Sequence, residues 1–169
     1  MTGEQAGFRQ SGAESEMTGT IGVISDTHGL LRPEALEALR GCERIIHAGD
    51  VGSADVLSQL RDLAPVVAVR GNVDSEAWAM RLPRTATVKI GSHTVYVLHV
   101  LEDLEIEPSP AGISAVVYGH SHKPSIEERD GVIYLNPGSA GPRRFRLPIG
   151  VGYLHLESGG IRGELLDLG

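Results

Sequence analysis

Two pairs of residues share one spacing: Asp26 and His28 in "SDTHG", and His120 and His122 in "YGHSH". On an extended backbone, residues i and i+2 point to the same side ~7 Å apart, a reach that suits one shared ion or two adjacent ones. Asp50 follows a glycine, Asn72 follows another, and His99 closes the apolar run "TVYVL". Imidazole, carboxylate and amide together suit borderline divalent ions such as Mn, Fe, Co, Ni or Zn, whereas an all-oxygen set would suit Mg or Ca. These seven side chains are too many for one tetrahedral ion. Their number fits two ions about 3.5–4 Å apart that share one carboxylate. Taken singly, each element is ordinary: Asp-Thr-His caps turns, and Gly-Asp and Gly-Asn are common turn dipeptides. Only the set carries weight.

The set carries weight because of where its members fall. "TIGVIS", "RIIHA", "PVVAVR", "HTVYVLHV" and "AVVY" are β-branched apolar runs, and each ends by presenting one or more of these residues. "RPEALEALRG" and "SADVLSQLRDL" lie between the first three runs and read as helices, with Pro33 in a first turn, Gly41 as a stop and Ser53 as a cap. A βαβαβ order implies a parallel sheet, whose carboxyl edges line one crevice. Ligands far apart in sequence therefore converge there. The second half reads as a hairpin of "TATVKI" and "HTVYVLHV", an acidic Pro-containing stretch at 101–112, and then strands at "AVVY", "SIEER", "VIYL", "GVGYLHLE" and "IRGELLDL". An α/β half followed by a β-rich half predicts two packed sheets.

The bulk properties narrow the classes. The chain has 169 residues, 41% of them hydrophobic, which suits one compact domain over residues 19–169. Residues 1–18, rich in Gly, Ser, Gln and Glu, read as a disordered extension, with Met17 as an alternative start. A net charge of −7 and only 4% aromatic residues disfavour a nucleic-acid partner. A lone Cys42 excludes an intramolecular disulfide and a thiolate metal site. No run reaches the ~18 apolar residues of a membrane span, so the reading is a cytoplasmic protein without a membrane partner. The P-loop pattern is absent.

The ordered set D-x-H, GD, GN-x-D, H and GHSH, followed by "NPGSAGPRR", resembles the calcineurin-like metallophosphoesterases, and in particular their small bacterial and archaeal YfcE-like branch. The resemblance runs from about Ile21 to the C-terminus. It implies an α/β fold, a four-layer αββα sandwich of two mixed β-sheets flanked by helices. It also implies a dinuclear centre in which Asp26, His28 and His122 hold one ion, Asp50 bridges, and Asn72, His99 and His120 hold the other. The implied activity is hydrolysis of a small phosphoester, a diester before a monoester, by a hydroxide shared between two divalent ions, with manganese ranked first and Fe, Co, Ni or Zn as alternatives. Asp74 would support the ligands or loops through hydrogen bonds, or shape an Asx turn. Asn72 and Arg143 are candidate substrate contacts, and a homo-oligomer is compatible with the pattern.

Two departures from the family stand out. Val73 follows Asn72 where many members have a histidine that serves the leaving group, and "LHVLEDLEIEP" replaces the usual His-Gly and longer helix. These departures favour an alternative, a metal-binding interaction scaffold resembling the phosphoesterase-like retromer subunit. Against it, all seven ligand positions keep metal-competent side chains. Elsewhere, His47 reads as a structural hydrogen-bonding residue, and His93, about 20 Å along the strand from His99, lies outside the site. His155 reads as a mid-strand residue facing solvent or a helix, and Asn136 as a turn former.

Overall fold

The computed structural model of the chain describes residues 19–169, so the expected N-terminal extension lies outside the described residues. Ten strands form two mixed sheets of five. In the first sheet β1 (Gly19–Ile24), β2 (Arg44–His47) and β3 (Val66–Ala68) run parallel. On the other side of β1 come β9 (Gly150–Glu157) and β10 (Gly160–Asp167), each antiparallel to its neighbour. The second sheet has the order β4 (Thr85–Ile90), β5 (His93–Leu98), β6 (Ala115–Val117), β8 (Val132–Asn136) and β7 (Ser125–Arg129). In it β5, β6 and β8 are parallel and the edge strands antiparallel. The two sheets do not follow the two halves of the chain, because the last hairpin returns to pair with β1.

Period-two alternation sorts the side chains into layers. Ile46 faces Val95, Val97, Ala115, Val117 and Leu135 in the core between the sheets. Its neighbour Ile45 points the other way, into a second core under the helices α1 (Pro33–Leu39) and α2 (Ala54–Arg61). Pro33 sits in the first turn of α1, and Gly41 at φ 88° follows its end. Ser53 Oγ caps α2 by accepting from the Asp55 N–H at 3.1 Å. The outer face of the second sheet, Leu98, Val116 and Tyr134, is covered by Leu101, Leu104, Ile106 and Ile113. That fourth layer is a 3-10 turn at Leu101–Asp103 with its following loop, where a flanking helix is expected. Among the described residues no helix is long and apolar enough to cross a membrane.

Ile46 is fully buried between the sheets. Ile46→Ala should lower unfolding free energy by about 2–5 kcal/mol in a urea titration, and Ile46→Val by about 0.5–1.5 kcal/mol, since the rigid sheets cannot close on the cavity.

Candidate metal centre

Each of the five strands β1, β2, β3, β5 and β6 ends at the same edge. Backbone bonds from Asp26 N–H to Gly49 O (3.0 Å) and His28 N–H to Asp50 O (2.9 Å) stitch the post-strand loops of the first sheet together, and Gly119 N–H to His99 O (2.9 Å) does so in the second. Asp26, His28, Asp50, His120 and His122 all have positive φ, between 47° and 75°. This left-handed region is uncommon for residues with a Cβ, though Asp and His enter it more readily than most. Residues held in such conformations store about 1–3 kcal/mol each and persist where the surroundings over-determine them. Here the turn immediately after each strand re-aims the side chain into the crevice.

Close packing of the loops depends on glycine at two points. A Cβ on Gly71 would overlap the Asp50 backbone and carboxylate, and one on Gly119 would overlap the Ser25 hydroxyl and approach Asp26 Oδ2 to 2.6 Å. The glycines preceding Asn72 and His120 thus let the carboxylates approach the neighbouring backbone.

The two carboxylates each divide their oxygens between two tasks. Asp26 Oδ2 accepts from Ser25 Oγ at 2.6 Å and from the His120 N–H at 3.1 Å. Asp26 Oδ1 has no hydrogen-bond partner and lies 3.3 Å from His122 Nε2, 3.8 Å from His28 Nε2 and 3.8 Å from His99 Nε2. Asp50 Oδ1 accepts from the Val73 N–H at 3.0 Å, while Oδ2 lies 3.2 Å from His99 Nε2 and 3.7 Å from His28 Nε2. Nδ1 of His99 is 2.8 Å from the Ala48 carbonyl, which can only accept, so Nδ1 carries a hydrogen and Nε2 is the atom that faces Asp50, free to take up a proton or a metal ion. His28 Nε2 and His99 Nε2 are buried without hydrogen-bond partners. A neutral His99 would set the lone pair of Nε2 against a carboxylate oxygen, so this close approach calls for a positive charge between them, a proton or a metal ion. This donor set fits borderline divalent ions.

Two subsets can each close on one point: Asp26, His28 and His122, and Asp26, Asp50 and His99. The imidazoles pair accordingly, His28 with His122 at 5.4 Å and His99 with His120 at 5.3 Å between ring centres. Asn72 Oδ1 lies 3.2 Å from His120 Nδ1. Thus all seven residues singled out from the sequence meet at one edge. Arg143 is engaged elsewhere, donating to the carbonyls of Leu147 (3.0 Å) and Gly169.

Burial raises the Asp26 carboxyl, but the adjacent His122, the charge of His99 and the Ser25 hydroxyl outweigh it and hold the group below the usual carboxylate range. Asp50 is likewise raised by burial and then held low by His99 and by the Val73 N–H. For His99, burial lowers the imidazole, and Asp50 and Asp26 more than reverse this, so its affinity for a proton is raised.

Three supports lie around these groups. Asp74 accepts from the N–H groups of Gly71 (2.9 Å), Val51 (3.1 Å) and Gly52 (3.0 Å), tying the Asp50 loop to the Asn72 loop. His47 is structural. Thr27 Oγ1 gives its hydrogen to the Val51 carbonyl at 2.8 Å, so His47 Nε2, 3.0 Å away, is the donor to it, and bare Nδ1 accepts from the Gly49 N–H at 3.1 Å. Burial first, against the attraction of nearby carboxylates, lowers this imidazole to about 4 and keeps it neutral. Asn136 does more than shape its own turn. Its Nδ2 donates to the Gly119 carbonyl and to Ser121 Oγ, both at 3.1 Å, and so positions the His120–His122 loop. Sequence reasoning overlooked Ser25, whose only signal was a hydroxyl directly before Asp26, and Ser139, which donates to the Asp26 carbonyl at 2.9 Å.

The remaining histidines lie away from this centre: His93 meets Ser114 Oγ at 3.0 Å, and His155 contacts Thr20 Oγ1 and Glu164.

Residues 20–159 match the model of the calcineurin-like phosphoesterase superfamily domain, and the chain belongs to that family. A probable metallophosphoesterase of Methanothermobacter thermautotrophicus is 35% identical over 88% of this chain and 92% of its own length. The phosphodiesterase YfcE of Escherichia coli K12 is 34% identical, over 68% of this chain and 76% of its own. Vacuolar protein sorting 29 from Cryptosporidium parvum superposes with a TM-score of 0.74 at 20% identity, covering 90% and 94% of the two chains, a likeness of fold.

Two outcomes follow for metal binding. Asp74→Ala should weaken Mn²⁺ affinity about 10–100-fold by calorimetry although it leaves all seven candidate ligands unsubstituted, because the loops that carry Asp50 and Asn72 lose their tie. The raised His99 keeps its proton above the ordinary imidazole value in the metal-free protein, so an ion must displace it. Titration at pH 7 in buffers of different ionisation enthalpy should therefore register proton release, and affinity should rise with pH; pH-independent binding without proton release would contradict this.

Proposed function

We propose that the chain hydrolyses small phosphodiesters with the help of two divalent ions. In this reading Asp26, His28 and His122 hold one ion, Asn72, His99 and His120 the other, and Asp50, whose Oδ2 lies between His28 and His99, bridges them. Divalent ions in such a site, manganese first among them, supply an activated water at neutral pH and charge stabilisation on the phosphoryl oxygens.

The chain's own part is position and electrostatics. Ser25, the His120 N–H and the Val73 N–H occupy the outward carboxylate oxygens, which fixes the inward ones. Asn72 and His120 are exposed at the mouth, where an ester could reach them. Val73, 49% exposed beside Asn72, cannot donate a proton. Esters whose leaving group needs no proton are therefore the favoured substrates. The observation that carries the reading is the cluster of buried, unpartnered ligand atoms from strands of both sheets, in a chain of this family.

A second reading, a metal-holding interaction scaffold, draws on Val73 and on the likeness of fold to the sorting protein. One assay separates the two. Metal-stripped protein should acquire cleavage of bis(p-nitrophenyl) phosphate, above that of p-nitrophenyl phosphate, on addition of Mn²⁺, and His120→Ala should lose at least 100-fold. A folded protein that takes up metal and turns over neither ester would favour the scaffold.

A further inference from the structure

Next to Asn72 and His99 lies a cavity of about 380 Å³, lined also by Arg70, Arg84, Asp103 and Glu105. Two of the candidate metal ligands thus form part of its wall. The two arginines come together because the Arg70 N–H donates to the Pro83 carbonyl at 2.8 Å, which fastens the segment carrying Arg84 beside the end of β3. Arg70 Nε is buried and has no hydrogen-bond partner, while Nη1 contacts only Met80 Sδ at 2.7 Å. Among the described residues neither arginine has a carboxylate within 4.0 Å, although Asp103 and Glu105 line the same cavity. Part of its wall is the 3-10 turn at Leu101–Asp103, closed by the Asp103 N–H to Val100 O bond (3.0 Å) and anchored by Leu101 and Leu104 on the outer face of the second sheet.

A buried guanidinium nitrogen without an acceptor is costly, and a planar fork of donors matches a phosphate or carboxylate better than a point charge would. Asp103 and Glu105 in the same lining repel a ligand that is anionic throughout and favour one whose charges are confined to separate groups. We infer that this cavity receives the non-reacting part of the substrate and that Arg70 and Arg84 bind a second anionic group on it. The substrate class is a phosphodiester carrying a further phosphate or carboxylate on a polar, sugar-like body. This rests on the phosphodiesterase reading for the reaction and extends it to specificity.

The test compares two diesters with the same leaving group, the p-nitrophenyl ester of thymidine 5′-phosphate and its 3′-phosphorylated counterpart, on the Mn²⁺-loaded protein. Wild type should show at least tenfold higher kcat/KM for the 3′-phosphorylated diester, and Arg70→Gln and Arg84→Gln should bring that ratio towards one. Arg84 is exposed, so its variant keeps the test valid should Arg70→Gln not fold. Turnover of both diesters at equal rates would overturn the inference and leave the phosphodiesterase reading standing. With no turnover of either, that reading falls, and calorimetry decides the cavity separately. Tighter binding of thymidine 3′,5′-bisphosphate than of thymidine 5′-phosphate, abolished by Arg84→Gln, supports it, and equal affinities overturn it.

Discussion

Two carboxylate oxygens, Asp26 Oδ1 and Asp50 Oδ2, face the Nε2 atoms of surrounding imidazoles at 3.2–3.8 Å, an approach that needs a positive charge, a proton or a metal ion, between lone pairs. The rest of the edge is arranged to keep that confrontation in place. Left-handed backbone at five of the seven candidate ligands turns the side chains inward. Asp74, His47 and Asn136, each buried, absorb the polar backbone groups that such tight loops would otherwise leave without partners. Replacing a buried polar group here would therefore act twice, through its own lost bonds and through the ligand whose loop it holds.

Much of this arrangement was legible in the chain itself. Apolar runs of four to six residues that stop at Asp, Asn or His declare both the strand and its functional end, and β1, β2, β5 and β6 fall where those runs lie. The helices were equally visible, since Pro33 and Ser53 mark their starts by known chemistry. The partners of each strand were less legible. Nothing in "GVGYLHLE" says that it will pair with β1 rather than extend the second sheet, because alternation fixes which face is apolar and leaves the neighbour open.

Side chains that work at a distance were hidden for the same reason. Asn136 and Ser139 reach the loops of His120 and Asp26 only once the last strands have folded back, and Arg70, Arg84, Asp103 and Glu105 become one cavity only when β3, β4 and the turn after β5 are juxtaposed. Arg143, prominent in a basic run, turned instead to the carbonyls of Leu147 and Gly169. A cluster of charge along the sequence is a poor guide to a cluster in space.

The candidate ligands come from both sheets, Asp26, His28, Asp50 and Asn72 from one and His99, His120 and His122 from the other. Ions held jointly by them would be cross-links between the two layers, in a chain whose single cysteine cannot supply one. A link from Asp26 to His122 closes a long loop, which disfavours the unfolded chain much as a disulfide would. Unlike a disulfide, it strengthens with the logarithm of free ion concentration and is indifferent to redox state. The thermal endurance of this fold would thus rise and fall with the supply of metal around it.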